Sequence, residues 1–345
     1  MKNGKRILAL LAAAFMLMGT LTGCGNSGST STTGSATTSA AKKGKTTVLL
    51  ASHVFNDTHP WNVSLKYFGD LLYKRTDGRY AVEVHPAAGL SGGSSRTLIE
   101  MVGNGGVDIM IHASLSLEGF NHKYGVFALP FLFKGRNQGL AVLQDSKIGA
   151  EAMTWLEGNG ITGVALCENG IRYITNSVKT VRTPADLVGL KMRVPESDIL
   201  ISEFKAWGAD PTPMNMTEVY TAIQQGTVDG QENNIAAIDS NKLYEVSPYI
   251  STTVHCWEPA WFFVNTKLLN SLSDEDRKIF IQAAKEAAAY EIQLEGKNEA
   301  SKMQTFKDHG CKITELTQDE RKAFKDAAAS VYDGARKKLG TDLVD

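Results

Sequence analysis

Five short elements packed between residues 189 and 234 limit the fold of this chain more than any other part of it. The run GLKMRVPESDILISEFKAWGADPTPMNMTEVYTAIQQGTVDGQENN reads as strand, helix, strand, helix, strand. Residues 190–194 are short and apolar, and Pro195 stops them. Ile199, Leu200, Ile201, Phe204 and Trp207 fall near helical spacing over 198–207, and Gly208 suits the position just past a helix end. Pro211 and Pro213 fit an edge strand over 211–214. Thr217 is placed to cap a helix that runs to Gln225 and stops at Gly226, and a further strand starts over 228–231. Two polar residues interrupt this scaffold. Arg193 sits in the first strand and Asn233 just past the last, both at strand ends, where open α/β sheets present ligand crevices. A guanidinium matches a carboxylate, and an amide offers an acceptor and two donors. On spacing alone a structural ion pair for Arg193 and a turn for Asn233 are the favoured readings.

The same alternation fills the rest of the body. Strands are expected at 47–51, 80–85, 107–111, 161–166 and 260–264. Helices are expected from Pro60 towards Thr76, over 95–101, and briefly from Pro184. A long helix starts at the Ser273/Asp276 cap, is mildly broken at Gly296 and resumes to Phe306. The last helix opens at Thr317/Glu320 and ends near Gly334 or Gly340. Alternating elements imply α/β layers with largely parallel sheets. Roughly 300 body residues are enough for two domains with their own cores.

Residues 1–23 read as a secretory leader. Lys2, Lys5 and Arg6 precede an apolar stretch, 7–18, that is too short to span a bilayer. Leu21-Thr22-Gly23-Cys24 resembles a lipobox, which implies a lipidated Cys24 as the mature N-terminus. Residues 25–45 are Gly-, Ser-, Thr- and Ala-rich and read as a tether. Without the leader 33 basic residues stand against 37 acidic ones, a balance that argues against nucleic acid as a partner. Cys167, Cys256 and Cys311 are widely spaced, odd in number and without a metal pattern, so buried thiols are expected.

The ordered string Met192-Arg193-Val194-Pro195, then 208–214 (GADPTPM), Glu218-Val219-Tyr220, 228–233 (VDGQEN) and Tyr244-Glu245-Val246, with Gly170-Ile171-Arg172 upstream, resembles the DctP-type solute-binding proteins of TRAP transporters. The resemblance covers essentially the whole body. It implies a two-domain fold like that of periplasmic binding proteins, with a ligand cleft between the domains and a long interdomain helix. The expected parts are 46–170 and 257–298 for domain I, and 171–256 for domain II with 299–345 packed on it. The resemblance further implies that Arg193 pairs with a substrate carboxylate, that Arg172 adds positive charge, and that Asn233 bonds a carboxylate oxygen. The expected partners are a small organic acid, membrane permease subunits and, through Cys24, the outer face of the membrane. The chain is expected to be monomeric, without cofactor or metal. Two departures bear on the ligand: Asn234 replaces a frequent proline, and Met216 stands where several relatives carry an aromatic ring.

Further candidates line up behind these. His53 and Asn56, in the loop after the first strand, are candidates to bond substrate hydroxyls; their alternative is loop and cap bonding. His53, Asp57 and His59 lack a further ligand for a metal. Glu100 on the 95–101 helix would accept from hydroxyls and repel a second carboxylate, favouring a hydroxylated monocarboxylate. Trp257 could wall the cleft for a sugar ring or pack in a core. Gly89-Leu90-Ser91-Gly92-Gly93 matches G-x-S-x-G, but loop precedes and follows it instead of strand and helix. No phosphate loop, dinucleotide fingerprint or zinc motif is present, so an enzyme is not expected. A sugar acid such as a hexuronate is the favoured substrate, a C4-dicarboxylate the alternative, and presentation to a membrane sensor a rival role.

Overall fold

The structure, a computed structural model, describes residues 45–345; the leader, nearly all of the tether and Cys24 lie outside the described residues. Eleven strands form two sheets. They are β1 (Thr47–Ser52), β2 (Tyr80–His85), β3 (Ile109–Ala113), β4 (Ile161–Ile171), β5 (Tyr173–Asn176), β6 (Lys191–Val194), β7 (Asp210–Pro213), β8 (Gly230–Asn233), β9 (Tyr249–Ser251), β10 (Trp257–Asn265) and β11 (Lys312–Thr314). The first sheet has the order β2-β1-β3-β10-β4 and the second β11-β9-β5-β8-β6-β7.

Both sheets are largely parallel, as the alternation implies, and each contains a single reversed strand. β1 pairs in parallel with β2 and β3, but β10 returns antiparallel between β3 and β4. In the second sheet β5 runs antiparallel to both β8 and β9, while β6 is parallel to β7 and β8. The reversed strands are those adjoining the crossings between lobes. The chain leaves the first sheet at Ile171 and enters the second at Tyr173, so Arg172 alone separates them. It returns through residues 252–256, between β9 and β10.

The third crossing is the helix Asp274–Asp308, 35 residues without interruption. Its Ser273 cap accepts from Asp276 N as expected. Gly296 does not break it: a Cβ there would stand 3.2 Å from the Arg136 guanidinium, so the glycine makes room for Arg136, which donates to the Ile292 carbonyl. The helix lies on the first lobe through Phe68–Phe280 (4.9 Å between ring centres) and Ser64 Oγ, which donates to Ala287 O. It reaches the second lobe through Lys302–Asp239 at 2.7 Å. β3 and β10 are buried along their whole length and form the first core with Trp61 and Phe68. Phe204, Trp207 and Phe324 fill the second, where Trp207 Nε1 donates to Phe324 O. Thr217 caps no helix; its hydroxyl donates across to Gly93 O. The last helix divides at Ala328 into Gln318–Ala327 and Ala329–Leu339.

Candidate functional site

Pro195 ends β6 two residues after Arg193, whose side chain alternates away from the Met192 and Val194 face. That places the guanidinium on the wall of a cleft of about 700 Å³ between the lobes. The first lobe contributes Phe55, Trp61, Ser95, His112 and Phe120; the crossings contribute Asn169, Arg172 and Glu258; the second lobe contributes Arg193, Met214, Met216 and Asn233. The lobes meet across it through Ser95 N to Asn215 Oδ1 (3.1 Å), Ser197 Oγ to Glu118 Oε2 (2.7 Å) and Lys338, which bridges Glu118 and Asp198.

The two arginines are in opposite electrostatic situations. Arg172 is engaged by two buried carboxylates. Its Nε and Nη2 donate to Glu232, and its Nη1 donates to Glu258. Burial alone would lower its pKa, but the two carboxylates outweigh that and hold it above the usual value. Glu232 belongs to β8 and Glu258 to β10, so the crossing residue is ion-paired to both sheets. Burial opposes ionisation of Glu232, yet Arg172 and His255 carry its pKa below the usual carboxylate range. The expectation that Arg172 adds net positive charge is therefore corrected, because its charge is already neutralised. Arg193, 4% exposed, has no carboxylate partner among the described residues. Its Nε and Nη2 both donate to Met214 O, at 2.9 and 2.7 Å, leaving Nη1 free. Burial lowers its pKa to about 10. Beside it, Asn233 Nδ2 has among the described residues only the Met216 sulfur, at 3.4 Å, while its Oδ1 accepts from Asn234 N. The deep wall thus holds an uncompensated cation next to an under-used amide donor, which an anion would satisfy.

Of the residues anticipated from sequence, Arg193, Arg172, Asn233 and Met216 come together on this wall. Four others do not. Glu100 is half-exposed on the helix Ser95–Asn104 and is not part of the cleft lining; it pairs at 3.2 Å with Arg96, which is. His53 is fully buried, held by Asn62 Oδ1 and Phe55 N, and burial lowers its pKa to about 4. Asn56 donates to Ser240 O, a bond between lobes at the rim and not a ligand contact. Trp257 packs on Gly139 and Phe133 and donates to Glu168 Oε2; strand alternation turns its neighbour Glu258 towards the cleft instead. Sequence reasoning missed Ser95, His112, Asn169, Glu232 and Glu258. Period-two alternation along β10 was the signal available for Glu258. Ser91 of the G-x-S-x-G run bonds only loop carbonyls, Ala88 O and Ser94 O. Among the described residues no three acids, histidines or cysteines gather closely enough to hold a metal ion.

Comparison with known proteins follows this geometry. The family model for bacterial extracellular solute-binding protein family 7, DctP, matches residues 51–338. The 2,3-diketo-L-gulonate-binding periplasmic protein YiaO of Escherichia coli K12 is 34% identical over 272 residues, 79% of this chain and 81% of its own. The crystal structure of a TRAP periplasmic solute-binding protein from Ralstonia eutropha H16, with bound (S)-2-acetolactate, superposes with a TM-score of 0.82 at 33% identity, covering 86% of this chain and 96% of that one. The sugar acid binding protein DctPAm of Advenella mimigardefordensis, in complex with galactonate, gives 0.83 at 28% identity, covering 87% and 96%. This chain belongs to the DctP family, bacterial extracellular solute-binding protein family 7, the solute receptors of TRAP transporters.

Proposed function

We propose that the cleft captures a small organic acid by its carboxylate and that the loaded receptor delivers it to TRAP permease subunits. The observation that carries this reading is the buried Arg193, which has three N–H groups to spare and no protein anion to receive them. In the proposed complex Arg193 Nη atoms and Asn233 Nδ2 grip the carboxylate, Met216 packs beside it, and Arg172 holds the wall in shape. The two bodies, 46–170 with 257–298 and 171–256 with 299–345, close about the crossings and exclude water. The C-terminal segment follows both lobes, since Tyr332 donates to Pro130 O. Relatives support acids that carry further oxygens, as acetolactate and galactonate do in the two structures above. Cys24 is proposed as a lipid anchor that tethers a monomeric receptor outside the membrane. No catalytic role is proposed: the cleft's one buried histidine, His112, is bonded to Ser95 and Ala113.

Thermal-shift screening of organic acids against their amides tests the reading. Free ligand at a hundred times its dissociation constant adds about 2.7 kcal/mol of apparent stability. At least one acid is expected to raise the melting temperature while its uncharged amide does not. A screen in which amides work as well as acids would refute capture by the carboxylate.

A further inference from the structure

The hydrogen-bonding capacity of the cleft is lopsided. Its buried acceptors are engaged: Glu258 Oε1 accepts from Leu115 N and Ser114 Oγ, and its Oε2 from Asn169 Nδ2 and Arg172. Asn169 Oδ1 accepts from Asn234 Nδ2, and Met214 O takes Arg193 twice. Some of its donors are not, as Arg193 and Asn233 already illustrate. A third spare donor lies on the first lobe. His112, 1% exposed, has Nδ1 at 3.0 Å from Ala113 N, closer than the Ala113 oxygen at 3.4 Å. An N–H directed at Nδ1 needs its lone pair, which leaves the ring proton on Nε2. Nε2 then donates to Ser95 Oγ at 2.7 Å. Burial lowers the His112 pKa to about 4, so the ring is neutral at physiological pH. With one lone pair of Ser95 Oγ occupied in this way, its own O–H is free to donate, and among the described residues it has no other partner. Ser95 lies across the cleft from Arg193 but is tied to the same segment: its N–H donates to Asn215, the residue after the Met214 that binds Arg193. Val54, Phe55, Leu115, Phe120 and Met214 supply apolar lining to the same cleft, and Arg96, Ser116 and Glu196 supply further polar lining.

We infer that the ligand is a short oxo acid, and that Ser95, oriented by His112, reads its second oxygen as a hydrogen-bond acceptor. This rests on the carboxylate reading above. A keto oxygen accepts and asks for nothing back. A hydroxyl brings a second proton: whether it accepts from the Ser95 O–H or donates to the remaining Ser95 lone pair, one of the two O–H groups is left without a buried protein acceptor. A plain alkanoate leaves the Ser95 O–H unpaired in the closed cleft.

Isothermal titration of the full chain with 3-methyl-2-oxobutanoate, its 2-hydroxy counterpart and the deoxygenated 3-methylbutanoate tests this. The parent is expected to bind the oxo acid about tenfold or more tighter than 3-methylbutanoate, with the hydroxy acid between. Ser95→Ala should bring the first two within about threefold while leaving 3-methylbutanoate nearly unchanged, and Ser95→Thr should keep the parent's preference. Melting scans on each variant establish folding. Equal weakening of all three acids in Ser95→Ala would make Ser95 a structural residue and overturn the inference, as would a parent that prefers the hydroxy acid or binds none of the three. Should Arg193→Ala bind the oxo acid as tightly as the parent, the carboxylate reading itself would have failed.

Discussion

Alanine substitutions at Arg193 and Arg172 should separate binding from folding, although both residues are buried arginines in one cleft. Arg193→Ala removes two N–H bonds to a single carbonyl, Met214 O, about 1 kcal/mol of net stability. It also removes a buried cation with no counterion, whose desolvation penalty is several kcal/mol. The terms oppose each other, so the unliganded variant should melt within about 2–4 °C of the parent or above it. Its affinity for the acid should fall by roughly 2–5 kcal/mol, thirty- to several-thousand-fold. Arg172→Ala does the reverse: it leaves Glu232 and Glu258 buried without their cation, which should destabilise the fold by about 3–5 kcal/mol. Scanning calorimetry gives the stabilities and isothermal titration the affinities. An Arg193→Ala protein that binds within threefold of the parent, or that loses more stability than Arg172→Ala, would refute the assignment.

Glu100→Gln should change affinity less than twofold and stability by under about 0.5 kcal/mol, because an exposed i,i+4 pair contributes little; a tenfold loss by titration would return Glu100 to the cleft wall. Gly139→Ala would put a Cβ 2.1 Å from the Trp257 ring, an overpacking of about 1–3 kcal/mol that calorimetry should register as a lower melting temperature. Glu203 is fully buried with neither oxygen bonded, and burial raises its pKa well above the usual carboxylate value. A raised carboxylate contributes stability that is present below about pH 4.3 and is lost as the pH climbs towards the folded pKa. Glu203→Gln stays neutral, so urea titrations should show its advantage over the parent widening from pH 5 to pH 8; a constant gap would mean that Glu203 does not titrate as described.

Sequence periodicity located the strand–helix–strand unit around Arg193 because helix stops and prolines punctuate it at Gly208, Pro211 and Gly226. It failed at β9 and β11, three residues each and too short to carry a period, and at β5, which follows β4 after one residue with no turn signal between them. It also failed where a property belongs to a pair. Trp257 drew attention by its size, yet the pleat turned Glu258 to the cleft. Gly296 looked like a helix break because nothing local announces Arg136, which fills the space the glycine leaves. The key contrast at the site, that Arg172 is compensated and Arg193 is not, depends on Glu232 and Glu258 converging from different sheets. No spacing along the chain reveals that.

Arg172 occupies the single residue between the two sheets and carries a counterion from each. In the closure proposed above, Arg172 would act like an axle whose bearings travel with it, because its ion pairs sit at the crossing itself. The charge whose surroundings change most between open and shut is then Arg193, wetted in one state and stripped of water in the other. Shutting on an empty chamber strands that charge, a penalty of several kcal/mol that only an anion relieves. On that proposal vacant copies would be held back from imitating loaded ones, and a membrane partner that senses the shut outline alone would tell cargo from no cargo without ever touching the acid.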